Sequence, residues 1–321
     1  MTVVLTTSPG FGKHNDVASK LSELGWELVR CVDTTKADGG VSEHIERADY
    51  IVVGLVPVTA ETLKQGKNLK AVLKHGVGVD NIDIPACSEA GLPVLNTPGA
   101  NADAVAELAI GMMFALARNI IVGHNSVVSG GWNRTVGTQI GGKTLGIFGL
   151  GNIGKSLALK ARSLGMNVIA QDAYPDTAFG DANGIEFVDI DTLLARSDYV
   201  SLHIFGGAEN TAFMDATKLA KMKPDACLLN LARGEVVDLD ALADALANNR
   251  LGGAGIDAYV VEPPETNHPI FAHPRVVFTP HTGADTSEAL ANVGLMNIAD
   301  IESLMRGEHP KRVLNPQVFG E

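Results

Sequence analysis

The chain has 321 residues, room for two domains of roughly 150 residues each. Its 25 Lys and Arg against 37 Asp and Glu leave a net charge of −12, without the basic face that a nucleic-acid binder uses to displace counterions. At 45% apolar and 19% charged residues the composition is that of a folded globular chain rather than a disordered one.

The N-terminal MTVVLTTSPGFG has neither the basic leader nor the apolar length of a secretion signal. Val3–Thr6 therefore reads as a first strand, followed by strands at Glu27–Val32, Tyr50–Val53, Ala71–Lys74 and Pro93–Asn96. A helix is expected at Asn15–Leu24. These runs are short and apolar throughout, as parallel strands covered by helices on both faces are. The SPGFG segment (Ser8–Gly12) reads either as an ordinary strand-to-helix turn or as a loop that meets the distal end of a substrate. Asn101–Arg118 reads as one long helix, with Asn101 as its cap and Glu107 in otherwise apolar surroundings. Its apolar run, Leu108–Ala117, falls short of the roughly 20 residues that cross a bilayer.

A second series begins at Thr144. Strands are expected at Thr144–Phe148, Asn167–Gln171, Tyr199–His203, Cys227–Asn230, Gly253–Asp257 and Val276–Thr279, six in all. Six is the number in a complete doubly wound dinucleotide fold. Ser287–Met305 reads as a closing long helix. The expected fold is α/β: a doubly wound Rossmann domain over 99–286, inserted in a flavodoxin-like domain built from 1–98 and 287–321. Cys31, Cys87 and Cys227 are odd in number and lack CxxC spacing, which fits a reducing compartment with no disulfide framework or zinc site. A cytoplasmic protein with no membrane, nucleic-acid or metal partner is expected.

The sharpest local signal is KTLGIFGLGNIGKSLALKARSLGMNVIAQDAYP, where Gly149, Gly151 and Gly154 form G-x-G-x-x-G between a strand and a helix. The first glycine makes a tight turn, the second admits a pyrophosphate, and the third lets helix and strand pack closely. Asp172, at the end of the next strand, is placed to accept the ribose hydroxyls of adenosine and to repel a 2′-phosphate. No Arg or Lys follows it closely, so NAD is expected rather than NADP. The competing reading is a glycine turn beside a solvated aspartate.

Three later segments, NLARGEVVD, GIDAYVVEPP and FTPHTGADT, each end a strand in ionisable residues. Ligands of open parallel sheets bind beyond the carboxyl ends of strands, so Arg233, Asp257, Glu262 and His281 are expected on the cofactor edge. Arg233 offers a planar fork to a carboxylate. His281 can move the hydroxyl proton of an alcohol while a hydride leaves for a nicotinamide. Glu262 would hold the imidazole in one tautomer and stabilise the imidazolium. Taken singly, each residue also has a structural reading: a loop histidine after proline, a capping or surface-paired arginine, a solvated loop carboxylate.

Together with HGVGVDNID, GLPVLNTPGANADAVAELAIG and GKTLGIFGLGNIG, these segments run from about residue 70 to 290. In that order they resemble the D-isomer-specific 2-hydroxyacid dehydrogenases, especially the short-form D-3-phosphoglycerate dehydrogenases. The resemblance implies Arg233, Glu262 and His281 as the catalytic trio and Asp257 beside the nicotinamide. It implies Val105, Asn152, Ile153, His203, Ala232 and Gly283 as further residues around NAD. Backbone amides of Val77 and Gly78 would meet the substrate carboxylate, with Gly76 permitting the approach, while Asp80 and Asn81 shape the turn. Lys74 and Arg134 match positions that meet a substrate phosphate. Segment 118–141, with GGWNR, implies a homodimer.

The chain departs from the pattern in places. Val53 stands where an arginine can meet the phosphate. The usual H-x-P loop reads His203-Ile204-Phe205-Gly206-Gly207, for which a more mobile wall beside the cofactor is expected. With a length near 320, no C-terminal serine-binding regulatory domain is expected. Glu262 stands where formate dehydrogenases carry Gln, which disfavours formate. Phosphoglycerate, hydroxypyruvate, glyoxylate, a sulfonated lactate or a sugar acid all suit the trio, as does a non-carbon acid such as phosphite. A non-catalytic NAD-sensing protein on the same fold is the alternative of another class, and the complete trio argues against it.

Overall fold

Strands without a polar face have to be covered on both sides, and the chain meets this requirement twice. The computed structural model describes residues 1–320. The chain divides into two compact units, Met1–Asn101 with Ala284–Glu321, and Ala102–Gly283.

In the first unit, strands β1 (Val3–Thr6), β2 (Glu27–Arg30), β3 (Tyr50–Val53), β4 (Ala71–Lys74) and β5 (Val94–Leu95) form one parallel sheet. Its order, β2-β1-β3-β4-β5, is the flavodoxin-like doubly wound order. Leu5 lies opposite Val29 on one side and Ile51 on the other. Alternate residues feed two cores: Leu5, Ile51, Val53 and Val72 on one face, and Val4, Tyr50, Val52 and Leu73 on the other. The second face is covered by Val17 and Leu21 of helix Asn15–Glu23 and by Ile298 and Ile301 of helix Ser287–Met305. The C-terminal tail returns to β5, where Asn315 accepts from the Val94 amide at 2.7 Å and donates to the Leu92 carbonyl at 2.9 Å.

The second unit holds seven parallel strands: β6 (Thr144–Phe148), β7 (Asn167–Gln171), β8 (Glu186–Phe187), β9 (Tyr199–Leu202), β10 (Cys227–Asn230), β11 (Gly253–Ile256) and β12 (Val276–Phe278). Their order is β12-β11-β10-β9-β6-β7-β8. Read from β8, this is the Rossmann order 3-2-1-4-5-6 followed by one additional strand. The α/β fold class expected from sequence holds, but the count of six is corrected. It omitted β8, a two-residue edge strand with no apolar run, and included β12, which lies beyond the six-strand core.

Helix Ala102–Ala117 buries eight residues, of which Val105, Ala106, Ala109, Met112, Met113 and Ala117 join the second unit's core. Asn101 is not its cap: the Asn101 Oδ1 is buried without a hydrogen-bond partner. The chain enters this helix through a backbone turn, the Ala100 amide donating to the Thr97 carbonyl at 3.3 Å. Glu107 is accounted for by Lys160, 3.2 Å away, which also meets Asp103 at 3.1 Å. Among the described residues no single helix is long and apolar enough to cross a membrane; Ala102–Ala117 reaches that length only together with Ile120–Val128, bent from it by 63°.

Replacing Asn315 with Ala strands the buried Val94 amide, so the first unit is expected to lose about 1–3 kcal/mol. Urea unfolding followed on Trp26, which lies in that unit, measures this; an unchanged midpoint would show that the tail does not stabilise the sheet.

Candidate active site

The fingerprint glycines serve three separate physical purposes. Gly149 has φ +86°, and a Cβ there would lie 2.5 Å from the His203 carbonyl oxygen. A Cβ at Gly154 would lie 2.2 Å from the Gly149 oxygen, whereas one at Gly151 would meet nothing within 4 Å. The backbone at Gly151 is thus open on the side a Cβ would fill. Helix Asn152–Ser163 starts there without a side-chain cap, so first-turn amides at Asn152, Ile153 and Gly154 remain for an anion. Asp172 is fixed by the amides of Leu150 at 2.6 Å and Tyr174 at 2.8 Å, and a carboxylate with two such bonds keeps lone pairs for ribose hydroxyls. These residues fit a dinucleotide.

His203 is expected beside the cofactor. Its imidazole is half-buried, with Nε2 2.9 Å from Ser201 Oγ and Nδ1 buried without a partner. Burial pushes its pKa down to about 4, so the ring is neutral. The backbone of His203, not its ring, approaches Gly149. The loop that follows is tied down: Gly207 donates to Glu235 Oε1 at 3.3 Å, and Asn210 donates to the Phe205 carbonyl at 3.0 Å. A Cβ at Gly206 would lie 2.3 Å from Glu235 Oε1 and 2.9 Å from Arg233 Cγ. The two glycines that replace the usual loop therefore allow it to close on the arginine.

The three catalytic candidates lie on loops leaving β10, β11 and β12. After β10, Asn230 shapes the turn that carries Ala232 and Arg233. Its Oδ1 accepts from the Ala232 amide at 3.1 Å, and its Nδ2 donates to the Arg233 carbonyl at 2.9 Å. The next residue, Gly234, is pressed against the β11 loop, for a Cβ there would lie 2.1 Å from the Tyr259 carbonyl carbon and 2.2 Å from the Val260 nitrogen. On that loop Tyr259 donates its amide to Glu262 Oε1 at 3.1 Å.

Glu262 receives His281. The imidazole Nδ1 lies 2.7 Å from one carboxylate oxygen and 2.9 Å from the other. An ionised carboxylate only accepts, so Nδ1 carries the proton and Nε2 is left with its lone pair. His281 has φ +54°, a conformation costing on the order of 1–3 kcal/mol for a residue with a Cβ. Asp257, 2% exposed, restrains it from below. Its carboxylate accepts from Thr279 Oγ1 at 2.6 Å, the Thr282 amide at 2.8 Å and the Gly283 amide at 2.9 Å. The Tyr259 hydroxyl adds a bond to the Thr279 carbonyl at 2.9 Å. Gly283 is needed here too, since a Cβ would meet Asp257 Oδ2 at 2.9 Å and Val105 at 3.4 Å.

Glu262 and His281 are thus joined directly, and Arg233 joins them through Gly234. Sequence reasoning missed Asn230, Tyr259, Thr279 and Thr282, which position these side chains. Their only signal was adjacency to ionisable residues at strand ends.

In the first unit, Gly76 has φ +138° and gives its carbonyl to the Thr97 amide and hydroxyl, each at 2.9 Å. Val77 gives its carbonyl to Asn96 Nδ2 at 2.8 Å. Lys74 is 7% exposed, its ammonium bonded to the Gly54 carbonyl at 2.6 Å and to Asn81 Oδ1 at 2.7 Å. Asn81 ties the turn to the loop after β3 through the Gly54 and Val56 carbonyls. Ser8 and Phe11 belong to the turn reading of SPGFG, since Phe11 is fully buried and Ser8 Oγ lies 3.0 Å from His75 Nδ1. Burial, with the Lys74 charge beside it, pushes the His75 pKa down to about 4. Arg134 lies in the second unit, on an exposed segment without helix or strand.

The model of the NAD-binding domain of D-isomer-specific 2-hydroxyacid dehydrogenases matches residues 110–283. The chain belongs to this family. It is 40% identical, over 79% of its length and 87% of the relative's, to a hydroxypyruvate reductase of Thermotoga maritima. It is 36% identical to a D-3-phosphoglycerate dehydrogenase of Methanocaldococcus jannaschii over 98% of its own length, and spans 60% of that relative. The crystal structure of the TT0316 protein from Thermus thermophilus superposes with a TM-score of 0.88 at 30% identity, over 98% of this chain and 100% of the other. As in the family, the second unit is an NAD-binding domain.

Buried neutral His75 and His203 give stability a definite pH dependence. Each ring takes up its proton on unfolding, so below the ordinary value of 6.5 the unfolded chain binds more protons and stability falls toward about 4. From pH 7 to pH 5 each is expected to contribute a loss of about 2 kcal/mol. Denaturant unfolding at the two pH values should show a smaller loss in His75→Gln and His203→Gln than in the unsubstituted chain; equal losses would remove these residues as the cause.

Proposed function

We propose that the chain interconverts a D-2-hydroxy acid and its 2-oxo acid with NAD. The observation that carries this reading is the His281–Glu262 pair, with Nδ1 2.7 Å and 2.9 Å from the carboxylate oxygens, in the unit that carries the dinucleotide fingerprint. Bound NAD supplies the hydride acceptor. His281 Nε2 takes the hydroxyl proton as the alcohol carbon becomes a carbonyl, and returns it in the reverse direction. Glu262 stabilises the imidazolium that forms and keeps the ring in its tautomer. Arg233 holds the substrate carboxylate by its planar fork. Asp257 positions the His281 loop and lies next to the nicotinamide pocket. Asp172 favours NAD over NADP.

The substrate class has two readings. Lys74, at a position where phosphoglycerate dehydrogenases meet the phosphate, supports a phosphorylated acid such as 3-phosphoglycerate. The bonds of Lys74 to Gly54 and Asn81 within the first unit favour an acid without phosphate, such as hydroxypyruvate or glyoxylate. Rates of NADH oxidation with phosphohydroxypyruvate, hydroxypyruvate, glyoxylate and sulfopyruvate separate them. His281→Ala is expected to lower kcat/KM for the preferred acid by about 10²–10⁴. Arg233→Ala is expected to lower it by about 100-fold or more, with a raised KM. Undiminished turnover in His281→Ala would sink the acid–base assignment.

A homodimer and a cytoplasmic location complete the reading. Helix Ile120–Val128 has no buried residue. With the segment that follows, it exposes Ile120 (51%), Val128 (73%), Trp132 (80%) and Val136 (97%). Large apolar side chains exposed on one segment in this way support a partner there. Three buried free cysteines support a reducing compartment. Val128→Asp with Trp132→Asp is expected to halve the mass seen by sedimentation; an unaltered mass would place the contact elsewhere.

A further inference from the structure

Against the loops after β10 and β11, with none of the fingerprint glycines in its lining, the second unit carries a half-open cavity of about 290 Å³. Its walls are Leu228 of β10, Val237, Leu239 and Leu242 at and within the helix Leu239–Ala247, and the rings of Tyr259 and Phe271. That volume sits at the lower end of ligand pockets, roughly 300–1,000 Å³, and suits a single ring. The rings continue as a stack, Tyr259 on Phe271 at 6.2 Å and 24°, and Phe271 on Phe278 at 4.9 Å and 28°. The aromatic walls thus have a fixed orientation to offer a planar guest.

The charge of the rim selects among guests. Glu265 lines the cavity and is exposed, and among the described residues no lysine or arginine lines it. His268, also on the rim, has its Nε2 3.0 Å from Asp240, which latches the loop to the helix beneath. An anion such as a 2-oxo acid would meet the Glu265 carboxylate with no lysine or arginine to offset it. A cationic head on an aromatic body meets Glu265 at the mouth and the rings inside.

We propose that this cavity binds a small aromatic amine, its ring against Tyr259 and Phe271 and its ammonium on Glu265. Occupancy reaches the catalytic pair through Tyr259. The same residue whose ring forms the wall holds Glu262 with its amide, and with its hydroxyl holds the Thr279 carbonyl two residues before His281. A guest that fixes the ring therefore also fixes the donors of both loops.

The test uses phenethylamine, titrated calorimetrically into the full chain saturated with NADH, with phenylacetate as the anionic counterpart. One amine is expected to bind per chain without being displaced by NADH, while phenylacetate does not bind. Leu239→Trp, which fills the cavity, should weaken the amine at least tenfold, and Glu265→Gln should weaken it several-fold. NADH affinity reports that each variant is folded. Backbone deuterium exchange over residues 258–272 should slow when the amine is bound. No binding of the amine, equal binding of phenylacetate, displacement by NADH, or indifference to both substitutions would each overturn the proposal. None of these measurements depends on turnover, so they stand apart from the dehydrogenase assignment.

Discussion

The acid–base pair depends on an approach between two backbones. Gly234, next to the arginine, lies so close to Tyr259 and Val260 that a Cβ would fall 2.1 Å from a carbonyl carbon. No side-chain rearrangement could relieve a clash with backbone atoms, so the loops after β10 and β11 have one relative position. From that position Tyr259 presents its amide to Glu262, and Glu262 in turn fixes the imidazole. The sheet supplies the register from which this begins, with Asn230 opposite Ile256 and Ile256 opposite Phe278. Parallel strands thus bring three loops to one edge, and a glycine locks two of them together.

Asp257 works at the same edge in a different way. A carboxylate at 2% exposure is costly to desolvate, and here three donors from one loop compensate it. Those donors come from residues on either side of His281, so the electrostatic demand of one buried group is met only when the histidine loop adopts its left-handed conformation. The three hydrogen bonds that compensate the burial of Asp257 thus also offset the unfavourable φ at His281.

Much of this was legible in the sequence. The strands of both sheets, the two long helices and the fingerprint all follow from apolar runs with turn residues between them, because strands buried on both faces leave an unbroken apolar signature. Edge strand β8 left no such signature. Asn101 has the chemistry of a cap, but the chain enters the helix through a turn from Thr97. Glu262 and His281 were legible as a pair through their placement at strand ends. Tyr259, Asn230 and Thr279 were not, because they act through amides, carbonyls and hydroxyls that many residue types could supply. Lys74 was legible as a cation at a ligand-facing turn; that it ties Gly54 to Asn81 depends on long-range packing that spacing does not report.

The Gly206–Gly207 loop has a consequence for how this chain can vary. The absence of a side chain at 206 lets the loop settle against Arg233 and Glu235, and Glu235 answers through the Gly207 amide. Each partner constrains the other. A side chain at 206 would have to displace the Glu235 carboxylate and also shift Arg233 Cγ, and a changed Glu235 would leave the glycine loop held by Asn210. The two positions are coupled by epistasis, so the order in which substitutions arrive decides which sequences this loop can reach.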